Sequence, residues 1–243
     1  MRFFLVSLFS LLSFSASAAG SCDKLPNHSE FSAALKAARM ADNGGLNLDM
    51  WGTLVGRDGL VCVVAYTGST WDAQFPASRV VSAQKANTGN ALSIKGFALS
   101  TGNLYSGVQP GGSLFGLADG NPVNVQAAYA GPISDYGSPS DPLIGKPVGG
   151  INVFGGGLAL YNQSGEIVGG LGVSGDSSCA DHNIAWRARH ILKLDFVPAG
   201  VANGTDSIIY DIANGKSASG YGHPTCGGKE DMILKDLPPV AKK

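Results

Sequence analysis

The sequence predicts a single α+β domain in which helices flank an antiparallel sheet, and three observations point to it. Charged residues make up only 14 % of the 243 residues, against roughly 25 % in an ordinary soluble domain. The chain carries 35 Gly and 12 Pro with no collagen-like period, which suits strands and turns better than a helical bundle. Its extended apolar runs come in pairs joined by short turns, with helical stretches between the pairs. Hydrophobic residues at 44 % are enough to bury a core. A formal net charge of −1 with no Lys/Arg run excludes a strongly basic nucleic-acid binder.

The elements follow in order. Asn27 and Glu30 form a capping box ahead of Phe31, Ala34, Leu35, Ala38 and Ala41, which repeat at helical spacing until Asn43-Gly44-Gly45 stops them. Residues 49–55 and 60–66 read as strands joined by Gly56-Arg57-Asp58-Gly59, a hairpin connection. Pro76 suits the first turn of a second helix running to about Ser93. Residues 101–147 are rich in Gly, Pro and Asn, and read as a long excursion of turns or short strands. A second hairpin spans 151–161 and 166–173 around Asn162-Gln163-Ser164-Gly165. A third helix starts at Asp176-Ser177-Ser178, with Ser178 and Asp181 as capping pair and Ile184, Ala185, Ala188, Ile191 and Leu192 as apolar stripe, and Pro198 ends it. The remainder reads as an ordered flap, including the apolar run 207–212, and a loose tail. The predicted organisation is an export signal at 1–18, a domain at 19–197, and a C-terminal flap and tail at 198–243.

The export signal rests on Arg2, an apolar run from Phe3 to Phe14, and the small-x-small sequence Ala16-Ser17-Ala18. That run is too short for the roughly 20 residues a membrane-spanning helix needs. The expected mature protein is periplasmic or extracellular, without stable membrane insertion, and its cysteines meet an oxidising compartment.

Several motifs compete for function. Gly170-Leu171-Gly172-Val173-Ser174-Gly175 satisfies G-x-G-x-x-G between a strand and a helix. The strand before it arrives by a hairpin, however, and no repeated strand–helix units follow. The glycines read better as a tight strand-to-helix passage. Ser82-Ala83-Gln84-Lys85 matches S-x-x-K, yet Ser134-Asp135 is followed by Tyr136 and no K-T-G occurs. The enzyme alternative is a small secreted hydrolase or cofactor-dependent enzyme using Ser174 and His182. Cys179-Ala180-Asp181-His182 and His223-Pro224-Thr225-Cys226 are mirror images. They could hold zinc through two thiolates and two imidazoles, or carry a Cys179–Cys226 disulfide. In an exported chain the disulfide is favoured, with Cys22–Cys62 as the second pair, one of the three connectivities that four cysteines allow.

Three stretches carry a resemblance. They are Gly149-Gly150-Ile151-Asn152-Val153-Phe154-Gly155-Gly156-Gly157-Leu158-Ala159-Leu160-Tyr161 with Val168 to Asp176, Ser78 to Thr88, and Gln109-Pro110-Gly111-Gly112. From about Phe31 to Leu192 the chain resembles the GlcG/HbpS family of haem-binding proteins. The resemblance implies a profilin-like domain with a central antiparallel sheet of about five strands, assembling as a homo-oligomer. It implies haem as ligand and a role in haem or iron handling or redox sensing. A ligand-free oligomeric interaction module is the third class of reading.

Haem needs an axial donor, an apolar slot and cations for its propionates. The absence of C-x-x-C-H excludes covalent attachment. His182 and His190 are two turns apart on one helix, while His28 and His223 lie elsewhere. A Cys179–Cys226 bridge would bring His182 and His223 together beside Trp186, so these two are the expected haem-iron ligands. Arg79 and Lys85 are the expected propionate partners, with Arg187 a further cation.

Overall fold

The computed structural model describes residues 20–242, so the predicted export signal lies outside the described residues. Two hairpins build the sheet. β1 (Trp51–Gly56) pairs with β2 (Val61–Tyr66), and β3 (Gly157–Tyr161) with β4 (Ile167–Ser174). β1 and β4 then join antiparallel, Leu54 opposite Leu171, giving the order β2-β1-β4-β3. The main sheet thus has four strands where about five were expected. Of the run 151–161 only its second half pairs, because residues 151–156 turn past the neighbouring helices before entering the sheet.

Helices cover both faces. α1 (His28–Arg39) and α4 (Ser178–Ile191) pack together on one, where Phe31, Leu35, Leu54, Leu158, Leu171 and Ile184 share a core. α2 (Ser78–Ala91) covers the other, its Ala83 and Ala86 sharing a core with Trp51, Val55 and Val64. Every residue of β1 and β3 is buried, as expected for a sheet with no solvent face.

The predicted capping box of α1 is present: Asn27 Oδ1 accepts from the Glu30 amide at 3.1 Å and Glu30 Oε2 from the Asn27 amide at 2.9 Å. At α4 the cap falls one residue earlier than expected. Ser177 Oγ accepts from the Ala180 amide at 3.3 Å, and the Asp181 carboxylate accepts from the Asp176 amide at 3.0 Å. That helix also ends before Pro198, because Lys193 adopts a left-handed φ of 56° and reverses the chain. The excursion at 101–147 is built from single helical turns, including α3 (Val125–Ala128), with no strand of the main sheet.

The expected loose tail is ordered through residue 242. It runs back across α4, forms a small ladder of β5 (Ile212–Ala213) and β6 (Lys216–Ser217), and adds α5 (Glu230–Asp236). Asp206 lies fully buried against Arg189 and the Trp186 indole donates to the Pro238 carbonyl at 2.8 Å, so the segment after 197 completes the core. No helix among the described residues is long and apolar enough to cross a membrane.

Candidate functional site

The N-terminal half of α4 and the segment 206–226 place Cys179, His182, His223 and Cys226. Cys179 is bonded to Cys226, and Cys22 to Cys62. His182 is fully buried, its ring 5.8 Å from that of Trp186. Its Nε2 accepts from the Ile208 amide at 3.2 Å, while Nδ1 has no partner. Burial pulls its pKa down to about 3, assisted by the neighbouring Arg189 cation, so the ring is neutral.

His223 is buried as well. Its Nδ1 lies 2.7 Å from the Pro224 carbonyl and must therefore carry the proton; Nε2 then accepts from Ser178 Oγ at 3.0 Å. Burial lowers its pKa, against the pull of the Pro224 carbonyl. The two histidines thus flank the same helix start, but each is occupied by its own chain. In each the unprotonated Nε2, whose lone pair an iron would need, is engaged by a group of this chain, the Ile208 amide or the Ser178 hydroxyl.

The expected propionate partners are likewise engaged within the chain. Arg79 is buried, donating from Nε to Asp141 Oδ2 at 2.9 Å and from its Nη atoms to Asp141 Oδ1 and the Ala128 carbonyl. Lys85 donates to Asp181 Oδ2 at 2.7 Å with both side chains buried. Desolvation pushes the Asp181 carboxyl up, to about 6, against the opposing pull of Lys85. A carboxylate of this chain already neutralises each of the two cations. A buried cation must be paired, and the sequence showed both cations but neither partner, since Asp141 is 62 residues from Arg79 and Asp181 is 96 from Lys85. Arg187 is bound to Asp236 at 2.7 Å.

The Ser174–His182 enzyme reading finds no support in the geometry. Ser174 is buried at the end of β4 and shares no hydrogen bond with His182, whose Nε2 is taken by Ile208. The G-x-G-x-x-G glycines serve packing: a Cβ at Gly172 would lie 1.9 Å from the Ser82 carbonyl oxygen of α2, and one at Gly170 2.2 Å from that of Ala86. Ser82 and Lys85 do not form a nucleophile pair, because Ser82 Oγ bonds Thr53 Oγ1 at 2.7 Å and Lys85 bonds Asp181.

His190, left out of the expected ligand pair, combines an exposed side chain with an unpartnered Nε2. Its side chain is 44 % exposed, and Nδ1 is held 2.8 Å from Oδ2 of the buried Asp195. Nε2 has no partner among the described residues. The signal in the sequence was the short reversal His190-Ile191-Leu192-Lys193-Leu194-Asp195, legible only once Lys193 is known to turn the chain. His28 Nε2 lies 2.8 Å from the Gly137 carbonyl.

A cleft of about 530 Å³ lies where α1 ends beside the start of α4 and the 226–233 segment. Leu46, Leu48, Ile184 and Ile233 give it apolar lining, and Arg39 and Lys229 stand at it as cations; no histidine lines it.

Against known proteins, residues 31–190 match the HbpS-like family, described as haem-degrading protein HbpS-like. That match covers most of the chain, and the chain belongs to this family. Solved structures with a similar fold include the Klebsiella pneumoniae protein ORFY, 24 % identical over 68 % of this chain and 86 % of that one, with a TM-score of 0.46. A complex of PduOC with haem is 24 % identical over 70 % of this chain and 96 % of that one, with a TM-score of 0.48. HbpS itself is 15 % identical over 68 % and 86 %, with a TM-score of 0.41. No curated protein matches the chain.

Proposed function

We propose that this is an exported haem-binding protein that acts as a homo-oligomer in haem or iron handling. Membership of the HbpS-like family, through a match spanning all four strands of the sheet and both large faces of helix, carries the haem reading. Export is supported by the small-x-small sequence at Ala16-Ser17-Ala18 and by two disulfides, which persist in oxidising compartments.

Within this chain His190 fits an axial donor best. A carboxylate on Nδ1 fixes the tautomer and leaves Nε2 as the free donor, the arrangement by which proteins orient imidazole ligands. Bound haem supplies an iron whose reactivity is tuned by that donor and its surroundings. Asp195 holds the ring, while Lys193, exposed and three residues after His190, is a cation near it in sequence for a propionate.

Haemin titration of the mature protein tests this directly. A saturable Soret shift is expected, and His190→Ala weakens affinity at least about tenfold, equal to about 1.4 kcal/mol. His182→Gln and His223→Gln bind haemin as the wild type does. A titration without any Soret shift removes haem altogether. Wild-type binding by His190→Ala would move the donor to His28.

A further inference from the structure

Around the Cys179–Cys226 bridge the chain gathers more donor groups than a disulfide requires. Sγ of Cys179, Sγ of Cys226 and a ring nitrogen of His223 all lie within 4.8 Å of one another. The His223 ring is fixed by its Nδ1 contact to the Pro224 carbonyl, so the nitrogen facing this cluster is an unprotonated acceptor. Ser178 Oγ completes the group, 3.0 Å from that nitrogen and 3.7 Å from the Cys226 sulfur. His182, the fourth member expected from the mirror-image sequences, is turned away toward Ile208.

We propose that the reduced form of this protein holds a soft divalent cation of the zinc type through Cys179, Cys226 and His223, with an open fourth position next to Ser178. Three protein donors and one open position suit tetrahedral zinc. Ligand atoms around such an ion are about 3.8 Å apart, from metal–sulfur bonds of about 2.3 Å. The two sulfurs must therefore separate by roughly 2 Å from disulfide bonding distance. The histidine is already oriented by a backbone acceptor, as ligating imidazoles usually are.

The site is redox-gated, because the disulfide and the metal use the same sulfurs. A dithiol donates two electrons and two protons to the Cys179–Cys226 bond and becomes a disulfide itself. The S–S bond breaks and two thiols form. Metal binding then releases those two protons to solvent, since the ligands are thiolates. Cys226 is only half-buried and gives a reductant its approach, whereas Cys179 and His223 are buried.

Cobalt(II) is the probe. The mature protein is reduced with a phosphine, desalted without oxygen and titrated, with far-ultraviolet circular dichroism recorded beside it. The expected result is thiolate-to-cobalt charge transfer and tetrahedral d–d bands that saturate at one equivalent, with dichroism retained and zinc displacing the cobalt. The oxidised protein shows neither band. His223→Gln weakens cobalt binding at least tenfold, and the Cys179→Ala/Cys226→Ala double variant abolishes the charge-transfer band. The proposal is overturned if the reduced wild type stays colourless or loses its fold, or if oxidised protein or His223→Gln binds cobalt like reduced wild type.

Discussion

Buried charges dominate at the residue scale. Arg189 is fully buried, with Nη1 and Nη2 at 2.7 and 2.8 Å from the two Asp206 oxygens and its guanidinium stacked 4.7 Å from the Trp186 ring. Taking Asp206 away leaves that cation uncompensated, whereas exchanging both members for apolar groups removes the desolvation cost as well. Asp206→Ala is expected to lose about 3–5 kcal/mol in urea unfolding, and the Arg189→Met/Asp206→Leu pair clearly less. An unchanged midpoint for Asp206→Ala contradicts the assignment. His182 gives a pH dependence. Its folded pKa, near 3, lies below the ordinary histidine value of 6.5, so its contribution is complete above pH 6.5 and is lost as pH falls toward 3. Asp181, raised to about 6 by burial, has the opposite sign, because protonation below that value relieves its desolvation. Comparison with His182→Gln separates the two. The stability advantage of wild type over this variant should shrink between pH 7 and pH 5, at a rate approaching about 1.4 kcal/mol per pH unit below the ordinary histidine value. Parallel pH curves would refute it.

Close approach of backbones decides the packing of elements. α2 carries buried polar side chains, among them Ser82, Lys85, Thr88 and Asn90, yet it lies directly on β4. The glycines at 170 and 172 make this contact, and a methyl at either meets a carbonyl oxygen of α2 at well under van der Waals distance. Gly172→Ala is expected to cost about 3 kcal/mol or more as helix and strand move apart. Gly96→Ala, with nothing within 4 Å of the added carbon, stays within about 0.5 kcal/mol. Chemical unfolding of the two variants side by side checks the contrast, and equal losses would count against it. The same glycines made the dinucleotide fingerprint look credible, because glycine allows close approach to a phosphate and to a helix alike. The hairpin connectivity, already visible in the sequence, separated the two uses.

For the whole molecule, the C-terminal segment closes the fold over α4. The Cys179–Cys226 bridge encloses a sequence separation of 47 residues, worth roughly 4 kcal/mol in the chain-entropy model. The Cys179→Ala/Cys226→Ala variant should unfold at correspondingly lower urea and, in limited proteolysis, be cut first after residue 197. Protection equal to wild type would show that Asp206 and Pro238 hold the segment unaided.

By itself the sequence determined the two hairpins, the capped first helix, the second helix and the family, because local turn chemistry and periodicity are written in neighbouring residues. It also placed the favoured cysteine pairs, since four cysteines allow only three connectivities. Only the tertiary structure decided the site. Arg79, Lys85, His182 and His223 have the chemistry of ligand-binding groups, and sequence shows chemistry without exposure. Asp141 and Asp181, together with the Ile208 amide and the Ser178 hydroxyl, occupy those groups from far along the chain. Burial of an ionisable group demands a partner, and the partner is chosen by the fold in three dimensions. His190, exposed and held by Asp195, keeps a free nitrogen for the same reason, since the chain reversal at Lys193 supplies one partner and solvent takes the other side.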